Sequence, residues 1–366
     1  MAPTAPLRPC IVVEDDRVLR QVQVLLDPRA TQDRTQAYAL YAVHDLPDYL
    51  AWRDELRERL PGLFPADVRL VSSQDELHKH LPDADAVIVE GLEVGPRELA
   101  LAPRLAVVQN FGVVTENIDV PACAQRGVPV LTLRRRTNIA LAEHTLMFML
   151  CLARRFPLVN GLVTVERLAA SGIPQSPYDT RHTARANFGR IPNLQTLHGR
   201  TVGLLGFGEI GRETALLARA FGMDVAYHKR TRLAVDVEQV LGVRYCTFDA
   251  LFEQSDFLSV HIPLSAPTQG LVDARALARM RPGSFLVNTA RAEIVEQQAM
   301  LDALASGSLA GAALDVLYLE PMVQGDPLLD RYNVLLTPHM AGASRLNGLQ
   351  DASDMLSGIA QALKAV

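Results

Sequence analysis

Thr201-Val202-Gly203-Leu204-Leu205-Gly206-Phe207-Gly208-Glu209-Ile210-Gly211 reads as a buried strand that runs into a glycine-rich turn. Residues 212–222 continue with helical spacing, and Asp224-Val225-Ala226-Tyr227 forms a second strand. In such a unit Gly206 permits the tight turn, Gly208 lets a pyrophosphate approach the backbone, and Gly211 lets the helix pack close to the sheet. Phe207, Glu209 and Ile210 complete the loop. The helix N-terminus then offers unpaired N–H groups and a partial positive charge. A bare GxGxxG is a weak signal. Its place between a strand and a helix makes it a dinucleotide-binding fingerprint.

The end of the second strand bears on which dinucleotide. An NAD site calls for an acid ~20 residues beyond the glycines, facing the ribose hydroxyls. Eighteen residues after Gly211 stands Lys229, followed by Arg230 and Arg232, with no carboxylate between Asp224 and Asp236. Clustered cations there suit a 2′-phosphate, so NADP(H) is preferred and NAD(H) is possible. The bland alternative is that all three are solvated loop charges.

Composition narrows the class. The 366 residues are 49% hydrophobic, enough for two domains with separate cores, and the net charge of −5 suggests neither a nucleic-acid nor a membrane partner. Cys10, Cys123, Cys151 and Cys246 are scattered with no CxxC, which fits reduced thiols in the cytoplasm. No metal site is assigned. Residues 1–9 are rich in Pro and Ala and lack an apolar run, so they read as a tail rather than a signal peptide. The apolar stretch 145–153 is nine residues long, too short to span a bilayer.

The fingerprint sits mid-chain, so a folded region precedes it. Strands are expected at 10–13, 68–71, 86–89, 105–109 and 128–132, with helices at 46–60 and 74–81. A long helix is expected at 139–155. Strands at 202–205, 224–227, 245–247, 257–260, 284–287, 311–315 and 333–336 then build a second α/β unit, with a helix at 296–306. The stretch 172–199, with Pro174, Pro177 and Pro192, reads as a connector whose length suits a lid or an interface arm.

Three groups stand just past predicted strand ends: Arg291 after Asn288-Thr289-Ala290, Glu320 in Leu319-Glu320-Pro321, and His339 in Thr337-Pro338-His339. Open α/β sheets bind ligands at that edge. An arginine can fork a substrate carboxylate, a histidine can give a proton to a carbonyl, and a glutamate can hold the imidazole. A lone His in Thr-Pro-His is more often a surface or capping residue. Three such groups at three strand ends weaken that reading.

These motifs, with Gly199-Arg200-Thr201-Val202-Gly203, Met280-Arg281-Pro282-Gly283, Asn117-Ile118-Asp119 and Ala142-Glu143-His144-Thr145, resemble the D-isomer-specific 2-hydroxyacid dehydrogenase family over 86–343. The resemblance implies two Rossmann-like domains. One is a flavodoxin-like substrate domain (1–137 plus 340–366). The other is a doubly wound parallel-sheet dinucleotide-binding domain (138–339). It implies that Arg291, Glu320 and His339 are the family's catalytic set. It also implies that Asp315, Thr289 and Ala290 face the nicotinamide, and that His261, Ile262, Pro263 and Thr268 line the ribose and phosphate side. Substrate contacts are expected at Glu90, Gly91, Leu92 and Gly112, and at Arg291. A homodimer through the helix at 139–155 is implied too.

Several positions depart from the family pattern. Val114 replaces a glycine, Ala292 replaces the glycine that often comes after the arginine, and Arg134-Arg135-Arg136 replaces a neutral loop. The arginines either anchor an acidic substrate or pair with the partner domain. Glu90 speaks against a phosphorylated substrate, and Val113 stands where a phosphite oxidiser would have lysine. The function expected is reduction of a small 2-keto acid of the glyoxylate or hydroxypyruvate kind. Two alternatives stay open: a nucleotide-sensing corepressor-type protein, and a reductase of a bulkier apolar 2-keto acid with its pocket near Leu92, Val114, Tyr178 and Met340.

Overall fold

A computed structural model describes residues 8–173, 181–182, 186–329 and 331–364. Tyr178, Pro174 and Pro177 lie outside the described residues. The chain divides into two compact units: Met1–Thr137 with Ser344–Val366, and Asn138–Ala343.

The first unit is built on β1 (Cys10–Glu14), β2 (Asp67–Val71), β3 (Ala86–Val89), β4 (Val107–Asn110) and β5 (Val130–Leu131). All pair in parallel, in the order β2-β1-β3-β4-β5. Alternation along β1 explains why it is apolar throughout. Ile11 and Val13 pack on one face with Leu356 and Ile359 of the C-terminal helix Arg345–Lys364, while Val12 packs on the other with Val87 and Leu77. A parallel strand covered on both faces has no solvent side to mark with polar residues.

The second unit holds β6 (Thr201–Leu205), β7 (Asp224–His228), β8 (Arg244–Tyr245), β9 (Phe257–Val260), β10 (Ser284–Asn288), β11 (Leu309–Leu314) and β12 (Val334–Leu336). Their order is β12-β11-β10-β9-β6-β7-β8, again parallel throughout. The order reverses between β6 and β9, which opens a crevice beyond their C-terminal ends. The α/β architecture read from the sequence is the one observed.

The differences are local. Gln21–Leu26 and Gln32–Ala42 are helices that the periodicity did not single out. In the second only Ala42 is buried, so it carries no apolar stripe to read. Thr247, expected in β8, caps the helix Phe248–Gln254 instead, its Oγ1 accepting the Ala250 N–H at 3.3 Å. The expected 139–155 helix runs as Arg136–Ala153.

β6 lies unusually close to its neighbour at Gly203. A Cβ there would come within 1.9 Å of Ser255 Oγ and 3.2 Å of Leu251 Cγ. Ser255 is itself buried and donates to Leu251 O at 2.5 Å, so it cannot step aside freely. Gly203→Ala is therefore expected to lower stability by about 1–3 kcal/mol through overpacking, measured by urea denaturation. Adding Ser255→Gly should recover most of the loss. A G203A protein as stable as its parent would contradict this close packing.

Candidate active site

The fingerprint turn leaves β6 at Leu205. Gly206 has φ +103°, and a Cβ there would sit 2.4 Å from His261 O and 2.6 Å from His261 C. No other residue fits, on conformational and steric grounds together. Gly211 is closed in the same way by Gly206 O at 2.8 Å. Gly208 is the opposite case: its Cβ would meet nothing within 4 Å. One glycine of the three thus faces open space, at the N-cap of the twelve-residue helix Glu209–Ala220. That cradle, with a helix dipole behind it, suits a pyrophosphate.

Across the crevice, His261 comes directly after β9. Its Nε2 lies 2.8 Å from Ser259 Oγ, and burial holds the imidazole down to about 4, so it is neutral at neutral pH. Thr268 Oγ1 donates to Pro263 O at 2.7 Å and accepts the Ser265 N–H at 2.8 Å. Its hydroxyl organises the 263–268 turn.

The cations after β7 do not form one cluster. Arg232 turns back onto Glu238, bonding through Nε at 2.9 Å and Nη2 at 2.7 Å. Tyr227 Oη also donates to Glu238, at 2.7 Å, and accepts the Leu233 N–H at 3.0 Å. Arg232 first, and then Tyr227, hold the Glu238 carboxyl down to about 2. Arg232 thus braces the loop through Glu238 while its side chain stays 53% exposed. The sequence signal was present: Glu238 stands six residues on, one helical turn into Val235–Leu241. Lys229 and Arg230 stay at the strand end, with Arg230 exposed.

The three catalytic candidates leave three adjacent strands at one level. Asn288, Leu314 and Leu336 are in register across β10, β11 and β12. Beyond them come Arg291, Asp315 with Glu320, and His339. Asn288 is buried and shapes the arginine turn, accepting the Ala290 N–H at 3.0 Å and donating to Arg291 O at 2.8 Å. His339 Nδ1 lies 2.9 Å from Glu320 Oε2. Glu320 Oε1 accepts the Leu317 N–H at 3.0 Å. The His339 bond, then the Leu317 N–H, hold the Glu320 carboxyl below the usual carboxylate range, and the charge of Arg291 acts in the same direction. Both side chains of the pair remain open to solvent, His339 at 47% and Glu320 at 39%.

His339 has φ +52°, the left-handed region that a non-glycine residue rarely adopts. Asp315 explains how it is held there. The buried carboxylate accepts Thr337 Oγ1 at 2.5 Å and the Met340 N–H at 2.8 Å on Oδ1, and the Ala341 N–H at 2.8 Å on Oδ2. The turn 337–341 is thus pinned on both sides of His339. Because Thr337 donates to Asp315, it accepts from His144 Nε2 at 3.1 Å. Burial lowers the His144 imidazole, against the pull of Asp315, and its ring meets Phe148 edge-on at 4.4 Å. Asp315 was expected to face the nicotinamide. Its oxygens also organise the histidine turn. Thr337 and His144 were part of quoted motifs but had no assigned role, since their partners lie far away along the chain.

In the first unit, the N–H groups of Glu90, Gly91 and Leu92 all point at the carboxylate of Glu14. Gly112 is buried, its carbonyl accepting the Leu133 N–H at 3.0 Å. Of the three arginines, Arg135 pairs with Glu90 at 3.0 Å and stacks on Phe111 at 4.5 Å, while Arg136 pairs with Asp354 at 2.7 Å and Asp351 at 3.1 Å. These partners belong to the arginines' own unit, not to the other one.

No described helix is long and apolar enough to cross a membrane. A family model described as D-isomer specific 2-hydroxyacid dehydrogenase, NAD binding domain, matches residues 169–341. The chain is 35% identical over 245 residues to a glyoxylate reductase of Korarchaeum cryptofilum, covering 66% of this chain and 68% of that protein. It is 32% identical over 283 residues to a D-3-phosphoglycerate dehydrogenase of Archaeoglobus fulgidus, covering 76% of this chain but 49% of that longer protein. Among solved structures, the apo form of Rhodotorula graminis D-mandelate dehydrogenase shares the fold, with TM-score 0.54 and 24% identity over 96% of this chain and 94% of that one. A parallel-sheet unit with a dinucleotide cradle, and Arg, Glu and His leaving three level strand ends, accord with these likenesses: the chain belongs to the D-isomer-specific 2-hydroxyacid dehydrogenases, enzymes that act on the CH–OH group with a nicotinamide dinucleotide.

Proposed function

We propose that the protein is a cytoplasmic, NADP(H)-preferring reductase of small 2-keto acids of the glyoxylate or hydroxypyruvate kind. The observation that carries this reading is the His339–Glu320 contact of 2.9 Å in the crevice edge that also bears Arg291. A nicotinamide dinucleotide held at the Gly206–Gly211 turn would supply the hydride. Glu320 takes the Nδ1 side of His339, which leaves Nε2 as the nitrogen that passes its proton to the carbonyl oxygen. Glu320, kept ionised, stabilises the imidazolium before that transfer and fixes the ring. Arg291 forks the substrate carboxylate and draws electron density from the carbonyl. In the oxidative direction the same nitrogen receives the hydroxyl proton. In the first unit, the N–H groups of 90–92 are read as a seat for the substrate carboxylate.

The cofactor preference rests on Lys229 and Arg230 at the end of β7, with Arg232 bracing their loop through Glu238. The substrate class is supported by the glyoxylate reductase likeness, and by Glu90 in the 90–92 loop, where a phosphorylated substrate would call for a cation.

His339→Ala is expected to lower kcat at least about a hundredfold while leaving NADPH affinity within a few-fold, by steady-state kinetics and fluorescence titration. Turnover surviving within a few-fold would remove His339 from the acid–base role. Lys229→Asp should shift the ratio of kcat/KM values toward NADH by about tenfold, the scale of one lost charge-assisted contact; an unchanged ratio would end the 2′-phosphate reading. The same reading makes the protein a homodimer through the helix Arg136–Ala153, where Met147 is 41% exposed, with Phe156 just beyond it at 51%. Sedimentation should then give twice the 40.0 kDa chain mass, and a monomer would count against it.

A further inference from the structure

The loop after β3 already holds an anion. Glu14 Oε2 accepts the N–H groups of Glu90, Gly91 and Leu92 at 2.7, 2.8 and 3.0 Å. Three successive N–H groups on one oxygen form a nest of the kind that binds carboxylates and phosphates. Its place is significant. Glu14 ends β1 and Glu90 comes directly after β3, and the strand order of this sheet reverses between those two strands. Ligands of open α/β sheets bind there.

Much of the loop is held by residues other than Glu14. Gln74 Nε2 donates to Glu93 O at 2.9 Å, and Gln74 Oε1 accepts the Glu93 N–H at 2.9 Å. Asn117 Nδ2 donates to Leu92 O at 2.8 Å, and Val94 N–H to Asn117 O at 3.0 Å. Glu98 Oε2 accepts the Gly95 N–H at 2.9 Å, and Glu98 Oε1 lies 2.6 Å from His78 Nε2. These bonds hold residues 92–95 without Glu14, and the Phe111 N–H donating to Val89 O at 2.7 Å holds the peptide that carries the Glu90 N–H. The charges around the nest are mostly negative. The Glu90 carboxyl is raised by burial, Asp16 and Glu14 add to the effect, and Arg135 alone opposes it.

We propose that Glu14 is an internal competitor of the substrate: its carboxylate occupies the nest until the substrate's carboxylate displaces it. This rests on the reading of 90–92 as a seat for that carboxylate. The exchange trades one set of N–H···O bonds for an equivalent set, so neither side wins on bond strength. Glu14 has the advantage of being tethered. Apparent affinity falls by the fraction of time the nest is open, so occupancy of about nine-tenths weakens binding about tenfold. The displaced Glu14 stays near Glu90 and Asp16, which adds repulsion for any second charge on the substrate. Glu14 is thus a specificity residue that favours singly charged acids.

The test uses the full chain with NADPH and glyoxylate, in wild type, Glu14→Ala and Glu14→Gln. The Gly91 amide resonance is followed in perdeuterated protein titrated with glyoxylate and NADP+, where glyoxylate cannot be reduced. E14A should lower KM for glyoxylate about tenfold with kcat within twofold, and E14Q should lower it less. The Gly91 resonance should move at correspondingly lower glyoxylate. If E14A does not fold, the direction of the E14Q change decides. An unchanged or higher KM in the variants, with the Gly91 resonance still moving, would overturn the competitor role and leave the seat standing. A Gly91 resonance unmoved by glyoxylate in every protein that turns over would remove the seat itself, and the proposal with it.

Discussion

The carboxylate of Asp315 is buried at the end of β11 and accepts three hydrogen bonds, all from the turn that carries His339. A buried carboxylate is costly unless its oxygens are satisfied, and satisfying them here dictates where residues 337–341 lie. The left-handed backbone at His339 costs on the order of 1–3 kcal/mol, and it persists because its neighbours on both sides are tied to one acceptor. Everything proposed for the reaction depends on that placement. The 2.9 Å contact with Glu320 exists because β11 and β12 end level and Asp315 bends the chain after β12 toward the chain after β11.

The same logic recurs at the other ligand-facing loops. Asn288 closes the arginine turn, Thr268 closes the turn after Pro263, and Glu238 draws Arg232 and Tyr227 together behind the loop of Lys229. In each case a side chain hydrogen-bonds backbone or side-chain groups nearby, so that a different residue points outward. Loops of this kind sit on a rigid sheet and need their own polar groups satisfied. A residue near a ligand site is therefore as often a brace as a contact.

Glu14 fits the pattern and also departs from it. It satisfies three backbone N–H groups, as a brace would. Yet the following residues, 92–95, are held independently by Gln74, Asn117 and Glu98. A carboxylate cap on three successive N–H groups, placed where the strand order reverses, is a group positioned to compete. The arginines of 134–136 show the reverse. Considered as a candidate anchor for an acidic substrate, Arg135 and Arg136 pair instead with Glu90, Asp351 and Asp354.

Sequence alone determined the α/β class, the fingerprint turn and the three groups past the strand ends. These are local properties. A parallel strand buried on both faces is a continuous apolar run, the turn needs glycine where a Cβ would strike His261 O, and each strand end is marked by the polar turn residues that succeed the apolar run. The helix Gln32–Ala42 escaped because it buries almost nothing. Only the tertiary structure decided which polar side chains face each other: Asp315 with Thr337 and Met340, Arg232 with Glu238, and Glu14 with Gly91. Periodicity marks which face of an element is buried, but it carries no record of the partner across the fold. A carboxylate on a distant stretch of chain is invisible as a partner until folding has brought it back.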